Sequence, residues 1–374
     1  MTKAILTCCL LTCLLSFEVD ALTVHRQKYG VTREGRKVFQ YVLANDSGLT
    51  VKVLDYGGVI NDIDVPDSRG RITNVVLKLA SLRAYEERPN FSSLIGRFAN
   101  RIGQGGFTLD DHFYPLPADA RGIISHGGQH ALSTKVWDAV SYTNKDECGV
   151  RMSYTSPDGE NGFPGELKVT ATFSVDNKNQ LTIRYEATTS KTTVVNFTHH
   201  MFFNLNGWED IGDHDIRINA SHYLPINDNK LVTGDMYPVD GTPFDLRKPV
   251  AIKQGLASNH PQLLMANGYD HNFVLMKKQA GELSLAAQLE SIHSGIGVTI
   301  YTTEPGLQFY TGNNFNGKLL DANQRPILKN YGVALETQHF PDSPHHDNFP
   351  TTVLSPGQVF KSETIYRFRT RAKQ

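Results

Sequence analysis

The sequence predicts an all-β fold, on three observations. Segments in which apolar and polar residues alternate dominate the chain, and a period of two puts every second side chain on one face of a strand. Clusters of Gly, Pro, Asn and Asp separate these segments, as tight turns require. Stretches with helical spacing are few. Taken in order, short strands are expected at 51–54 and 75–77. A hairpin follows, with Leu167, Val169, Ala171, Phe173 and Val175 on one face and, after a turn at 176–179, Leu181, Ile183, Tyr185 and Ala187 on the other arm. Residues 194–204 read as one strand, 251–256 and 261–265 as short helical pieces, and 273–275, 298–302 and 364–368 as further strands. Heptads, internal repeats, low-complexity linkers and shifts of composition are absent from the sequence. Residues 22–374 are therefore expected to form a single domain with long loops.

The chain begins Met1-Thr2-Lys3, continues with apolar residues from Ala4 to Phe17, and reaches Val19-Asp20-Ala21. This is the layout of a secretory signal, a charged start, a short apolar run and a small-residue cleavage site, and it is too short to span a membrane. Residues 1–21 are expected to be removed and the remainder secreted. Cys8, Cys9 and Cys13 lie inside that segment, so the mature chain keeps Cys148 alone and no intrachain disulfide. A large apolar core must hold it together, and about 350 residues can supply one. Lys+Arg 37 against Asp+Glu 38, with no basic block, disfavours nucleic acid and anionic membranes as partners. The sequons at Asn45, Asn90, Asn196 and Asn219 permit N-glycosylation in an oxidising secretory compartment. Asn45, in the polar turn Asn45-Asp46-Ser47-Gly48, is expected to be the most accessible, and Asn196 to stay bare inside a cleft.

Glu336 stands in Leu335-Glu336-Thr337-Gln338, after the apolar run Tyr331-Gly332-Val333-Ala334. Alternation puts Val333 and Leu335 on one face and Ala334 and Glu336 on the other. A carboxylate in such hydrocarbon is costly unless paired, so it is a satisfied structural acid or a working base. In 194–204, Val195, Phe197, His199, Met201 and Phe203 share a face, while Asn196, Thr198, His200, Phe202 and Asn204 share the other. His199 is read as a core histidine and His200 as facing a ligand. Gly96-Arg97-Phe98-Ala99-Asn100-Arg101 offers guanidinium forks suited to hydroxyls or carboxylates, and is equally consistent with a solvated loop. His126 precedes two glycines that let a backbone approach a ligand closely. Asp270-His271-Asn272, and Gln308 and Asn313 beside aromatic residues, add the rings and amides that a sugar needs. His339, His345, His346 and Asp347 match no zinc spacing, so no metal is expected. A serine or cysteine nucleophile lacks its motif.

Together these segments resemble the aldose 1-epimerase (galactose mutarotase) family. Gly96-Arg97-Phe98-Ala99-Asn100-Arg101-Ile102, His126-Gly127-Gly128, Asn196-Phe197-Thr198-His199-His200, Thr242-Pro243-Phe244-Asp245, Gly268-Tyr269-Asp270-His271-Asn272-Phe273, Pro305-Gly306-Leu307-Gln308-Phe309-Tyr310 and Leu335-Glu336-Thr337-Gln338 occur in the family's order. The resemblance implies a large β-sandwich with a sugar site in a cleft of a curved sheet, and no cofactor. It implies Glu336 as general base, His200 as general acid, and Asn100, Arg101, His126, Asp270 and Gln308 as residues holding the sugar. His199 and His339 stand where the family has Asn, and His130-Ala131-Leu132-Ser133 replaces Gly-Phe-Asp. These departures bear on rate and sugar preference, and His339 is expected to tune the second.

Interconverting α and β anomers requires removing the O1 proton while protonating the ring oxygen, a task one base and one acid can perform. The expected resting state is an ionised Glu336 beside a protonated His200. Free aldoses such as glucose and galactose are the expected small-molecule partners. The competing readings are a hexose-phosphate epimerase, a silent sugar-binding protein, and a glycosidase using Asp270 and Glu336.

Overall fold

Strands organise the computed structural model, which describes residues 22–371; the secretory reading of residues 1–21 lies outside them. Three open sheets carry most of the strands. The first is five-stranded and runs in chain order from Thr23–Val31 to Ile72–Asn74. The second, nine-stranded, has Asp138–Thr143 and Val250–Ala251 at its edges and Gln180–Thr189, Phe360–Thr370 and Ile296–Thr302 at its middle. The third, six-stranded, is ordered Phe202–Phe203, Val333–Gln338, Gly306–Tyr310, Asp270–Leu275, Ala220–Tyr223, Tyr237–Pro238. The third sheet carries Asp270, Gln308 and Glu336 among the polar residues singled out above.

The expected hairpin is present, with Leu167–Asp176 and Gln180–Thr189 paired from Leu167↔Thr189 to Val175↔Leu181. Asp176 closes the turn, its Oδ1 accepting the N–H groups of Lys178 at 2.9 Å and Gln180 at 3.0 Å. Asn179 takes the left-handed conformation there, φ 56°, which asparagine tolerates better than most residues. The apolar face of both arms is buried in one core cluster that gathers residues from Leu22 to Phe368. Each square ångström of apolar surface so removed contributes about 25 cal/mol. Cys148 is a buried free thiol whose Sγ–H reaches the Thr23 carbonyl at 3.1 Å.

Several expectations change. The strand expected at 75–77 instead ends at Asn74, leaving Val76 a single bridge to Phe203. Residues 194–204 are three short strands, Thr193–Val194, Thr198–His199 and Phe202–Phe203, because their backbone is shared among partners. Val194 pairs with Val353, Thr198 with Ile95 and Phe202 with Ala334. Alternation survives the breaks, with Val195, Phe197, Met201 and Phe203 all in the main core. The helices at Ile252–Leu256 and Pro261–Ala266 match, but Leu82–Glu87 was not foreseen. Its only buried side chains are Leu82 and Tyr85, too few to show a helical period, and its start is fixed by the Ser81 cap. Asn45 is not accessible: it is buried, and its amide donates to the Asp176 carbonyl at 2.9 Å and to Asn179 Oδ1 at 2.7 Å.

Three histidines far from solvent are held neutral by burial: His199 and His271 are pushed down to about 3 and His214 to about 4. The unfolded chain binds protons on these groups from about pH 6.5 downward. Stability is therefore complete above that pH and declines as pH falls toward the folded values, by about 1.4 kcal/mol per unit for each histidine. The urea midpoint should drop between pH 6.5 and 5, above the range where ordinary carboxylates titrate. A midpoint independent of pH in that window would contradict the assignment.

Candidate active site

Antiparallel register sets the floor of the site. Asn272 lies opposite Gln308 and Gln308 opposite Glu336, while Asp270 lies opposite Tyr310 and Tyr310 opposite Ala334. Every residue of Val333–Gln338 is buried, so neither face of that strand meets bulk water. Val333 and Leu335 enter the main core and Ala334 a second apolar cluster beside Phe202, which leaves Glu336 aimed into the cleft.

The opposite wall comes from two short segments. Arg101–Ile102 pairs with Ile124–Ser125, and the residues flanking that pair, Asn100 and His126, both take left-handed backbone, φ 64° and 53°. The His126 N–H donates to the Asn100 carbonyl at 2.9 Å, and the Asn100 N–H donates back to His126 Nδ1 at 3.3 Å. Gly127 permits this, since a Cβ there would stand 2.3 Å from the Gly96 carbonyl oxygen. Arg97, the other arginine of the motif, is structural: it donates to carbonyls of Ser156, Pro157, Phe163, Pro164 and Gly165. Asn161, within that gathered loop, donates to the Gly127 carbonyl at 2.7 Å and so supports the His126 turn.

These walls enclose a cleft of about 490 Å³ lined by Asn100, Arg101, His126, His200, Asp270 and Glu336, with Phe202, Tyr310 and Phe315 as rings. His200 Nε2 lies 3.6 Å from Glu336 Oε1, too far for a hydrogen bond and near enough for strong coupling. Arg101 Nη2 meets Asp270 Oδ2 at 3.1 Å and Gln308 Nε2 donates to Asp270 Oδ1 at 2.7 Å. Arg101 Nη1 also reaches Asn100 Oδ1 at 3.4 Å. Glu336 Oε2 and His200 Nδ1 are buried with no partner among the described residues.

Electrostatics separates the two carboxylates. Burial pushes Asp270 up, but the Arg101 charge, His271 and the Gln308 and Arg101 hydrogen bonds carry it below the ordinary value. Asp270 is thus a fixed anion. Burial, then the Asp270 charge, holds Glu336 well above the carboxylate range. Burial takes His200 down to about 4 and drives His126 well below the imidazole range. Burial thus opposes the expected resting state of ionised Glu336 beside charged His200, since low dielectric disfavours both charges. The number of protons is unchanged, since neutral acid with neutral imidazole and carboxylate with imidazolium each hold one.

His126, His200 and Glu336 place one donor atom each within 4.8 Å of one another, the spacing of a metal site. The tautomer argues for another use. His126 Nδ1 accepts the Asn100 N–H, which puts the ring proton on Nε2, a hydrogen-bond donor toward the cleft. The C-terminal histidines serve structure: His345 Nδ1 meets Asp342 Oδ1 at 2.6 Å, and Asp342 takes the Gly103 N–H at 2.9 Å while its own N–H donates to the Arg101 carbonyl.

Comparison with known proteins decides the family. A family profile described as Aldose 1-epimerase matches residues 40–367. The galactose mutarotase of Rattus norvegicus is 38% identical over 350 residues, covering 93% of this chain and 99% of the relative. The chain belongs to the aldose 1-epimerase family. The galactose mutarotase of Homo sapiens is 39% identical over 337 residues, 89% of this chain and 95% of its own, and the aldose 1-epimerase of Escherichia coli K12 is 33% identical over 340 residues, 90% and 96%. Among solved structures, the galactose 1-epimerase of Lactobacillus acidophilus superposes with TM-score 0.83 at 30% identity, over 94% of this chain and 99% of that one. The protein is an isomerase with mutarotase function, and its sandwich is of the galactose mutarotase type.

Most of the expected residues converge, but Asn313, Gln308, Asn196 and His339 do not; Asn313 is buried, its amide donating to the Ala266 and Tyr269 carbonyls. Gln308 is buried beneath Asp270, off the cleft surface, so it reaches the cleft only through that carboxylate. Asn196 is fully buried behind the wall, where it takes the His339 N–H at 2.9 Å and donates to the His339 and Ala99 carbonyls. His339 turns to Glu304 at 2.6 Å in a separate groove; burial lowers it, but the charge and hydrogen bond of Glu304 together raise it. Phe202, on the His200 face, and Tyr310, in the aromatic stretch beside Gln308, line the cleft as the sequence suggested, whereas Phe315 and the rim residues Glu87 to Asn90 were missed, since nothing local marks them.

Gln308→Glu would set a second carboxylate 2.7 Å from Asp270. Like charges at that distance keep one of the two protonated, which loosens the Arg101 ion pair. kcat/KM should fall by roughly tenfold or more, with a loss that deepens as pH rises, since one 1.4 kcal/mol increment is tenfold. An unchanged pH profile would show that Gln308 does not set the state of Asp270.

Proposed function

We propose that this chain interconverts the α and β anomers of free hexoses such as glucose and galactose by acid–base ring opening between Glu336 and His200. The observation that carries the reading is the convergence of these two groups at 3.6 Å, each with an unsatisfied buried atom, beside a fixed Arg101–Asp270 pair. The names of the galactose mutarotase relatives support the substrate class.

The reacting form is the other tautomer of the pair, with its one proton on His200: Glu336 takes the O1 proton as carboxylate, the C1–O1 bond becomes a carbonyl, and the C1–O5 electron pair moves to O5, which receives the His200 proton. Rotation about C1–C2 presents the other carbonyl face. His200 then removes the O5 proton as O5 closes on C1, and Glu336 returns its proton to O1. The pair holds one proton before and, after each anomer forms, one again. In the open-chain state it is neutral acid with neutral imidazole, the arrangement that burial favours in the empty cleft. Burial thus favours the enzyme form that accompanies the aldehyde. Arg101, Asp270 and Asn100 hold hydroxyls as donors and acceptors, His126 Nε2–H donates, and Gln308 acts through Asp270. Tyr310, Phe202 and Phe315 offer faces to sugar C–H groups. Asp270, already an anion in two hydrogen bonds, is poorly placed to be the acid of a glycosidase.

No cofactor or metal is needed for these steps. We read residues 22–374 as one domain behind a secretory signal at 1–21, so that the reaction takes place outside the cell. No helix among the described residues is long and apolar enough to cross a membrane.

Polarimetry on freshly dissolved α-D-glucose and α-D-galactose tests the reading. Glu336→Gln and His200→Asn should each lower kcat by about 10²-fold or more, and the double variant by less than the product, because the two act as a unit. Arg101→Ala should raise KM as well. Rate should be level across neutral pH, falling in acid as His200 takes a second proton near about 4 and in alkali as Glu336 loses the last one. Full activity in Glu336→Gln would overturn the mechanism.

A further inference from the structure

An N-linked glycan replaces one of the two hydrogens on asparagine Nδ2, so the folded glycoprotein must leave at least one Nδ2 hydrogen without a partner and with room for the sugar. Three of the sequons cannot. Asn45 Nδ2 donates to Asp176 and Asn179, Asn196 Nδ2 to Ala99 and His339, and Asn219 Nδ2 to the Met276 and Leu285 carbonyls. Each would lose a hydrogen bond on modification, and Asn45 and Asn196 are also buried.

Asn90 differs in its free amide nitrogen. It is half-buried, its Oδ1 accepts the Ser133 hydroxyl at 3.2 Å, and its Nδ2 has no hydrogen bond among the described residues. It also stands on the rim of the cleft, after the helix Leu82–Glu87 and beside Arg88 and Pro89. We propose that Asn90 is the N-glycan acceptor of the secreted chain, and that the glycan at the cleft mouth admits free hexoses while hindering longer reducing sugars. The proposal rests on the secretory reading of residues 1–21 and on the placement of the sugar in the Glu336 cleft. The donor class is a lipid-diphosphate-linked oligosaccharide: the Nδ2–C1 bond forms, the C1–O bond to the diphosphate breaks, and the Nδ2 proton is released to solvent.

The test is to express the full chain, with its own residues 1–21, in a glycosylating animal cell line and to map glycopeptides and the N-terminus. Protein in the medium that begins near Leu22 and carries a glycan at Asn90, with Asn45, Asn196 and Asn219 bare, supports the proposal. Secreted protein bare at Asn90, or occupied at any of the other three, overturns it while leaving the secretory reading intact. Protein retained in the cell with residues 1–21 attached overturns both. Endoglycosidase trimming to the first sugar should then raise kcat/KM several-fold for maltotetraose and leave the glucose value unchanged. Equal ratios before and after trimming would remove the gating role, whereas no mutarotation of either sugar by either form would instead strike the anomerase reading.

Discussion

The register between Asp270–Leu275, Gly306–Tyr310 and Val333–Gln338 is the constraint on which the site depends. Side chains alternate across a sheet, so a slip of one residue in Val333–Gln338 would turn Glu336 into the apolar core and bring Leu335 to the cleft. The core face opposes such a slip with Val333 and Leu335 packed among Phe309 and Phe203. Apolar burial on one side of the strand therefore fixes the position of a carboxylate on the other. The same register lays Asn272, Gln308 and Glu336 in one row and brings Gln308 under Asp270.

A second consequence follows from burying so many ionisable groups together. Asp270, Glu336, His126 and His200 line one cleft with Arg101, and isolated buried charges there would be costly. Asp270 keeps its charge because Arg101 and Gln308 compensate it. Glu336 and His200 have no such compensation, so burial disfavours the charged form of each. Anomerisation moves a proton on and another off without altering the number the pair holds. In the mechanism we propose, the uncharged state of this pair is the one that accompanies the open ring.

Legibility in the sequence followed the range of the interactions. The Leu167–Thr189 hairpin could be read because alternation and a turn sequence lie within a short span. The opposed directions of His199 and His200 were readable for the same reason, although the strand carrying them is broken by partners as distant as Val353 and Ile95. Asn196 and His339 were misplaced because their surroundings come from segments over 100 residues apart, a contact no local pattern encodes. Asn45 misled in a different way: a polar turn sequence suggests exposure, and here the amide is consumed in joining two hairpins. The family motifs located Glu336, His200, Arg101 and Asp270, but the charge states depend on burial, which composition does not report.

The account turns on where the single proton of the Glu336–His200 pair resides. Infrared difference spectroscopy of the unliganded protein at neutral pH, taken against Glu336→Gln, reads the carboxyl directly. A protonated-carboxyl carbonyl band that vanishes in the variant, with ¹⁵N shifts of His200 characteristic of neutral imidazole, is the predicted result. A carboxylate band for Glu336 together with an imidazolium signature for His200 in the empty cleft would contradict it.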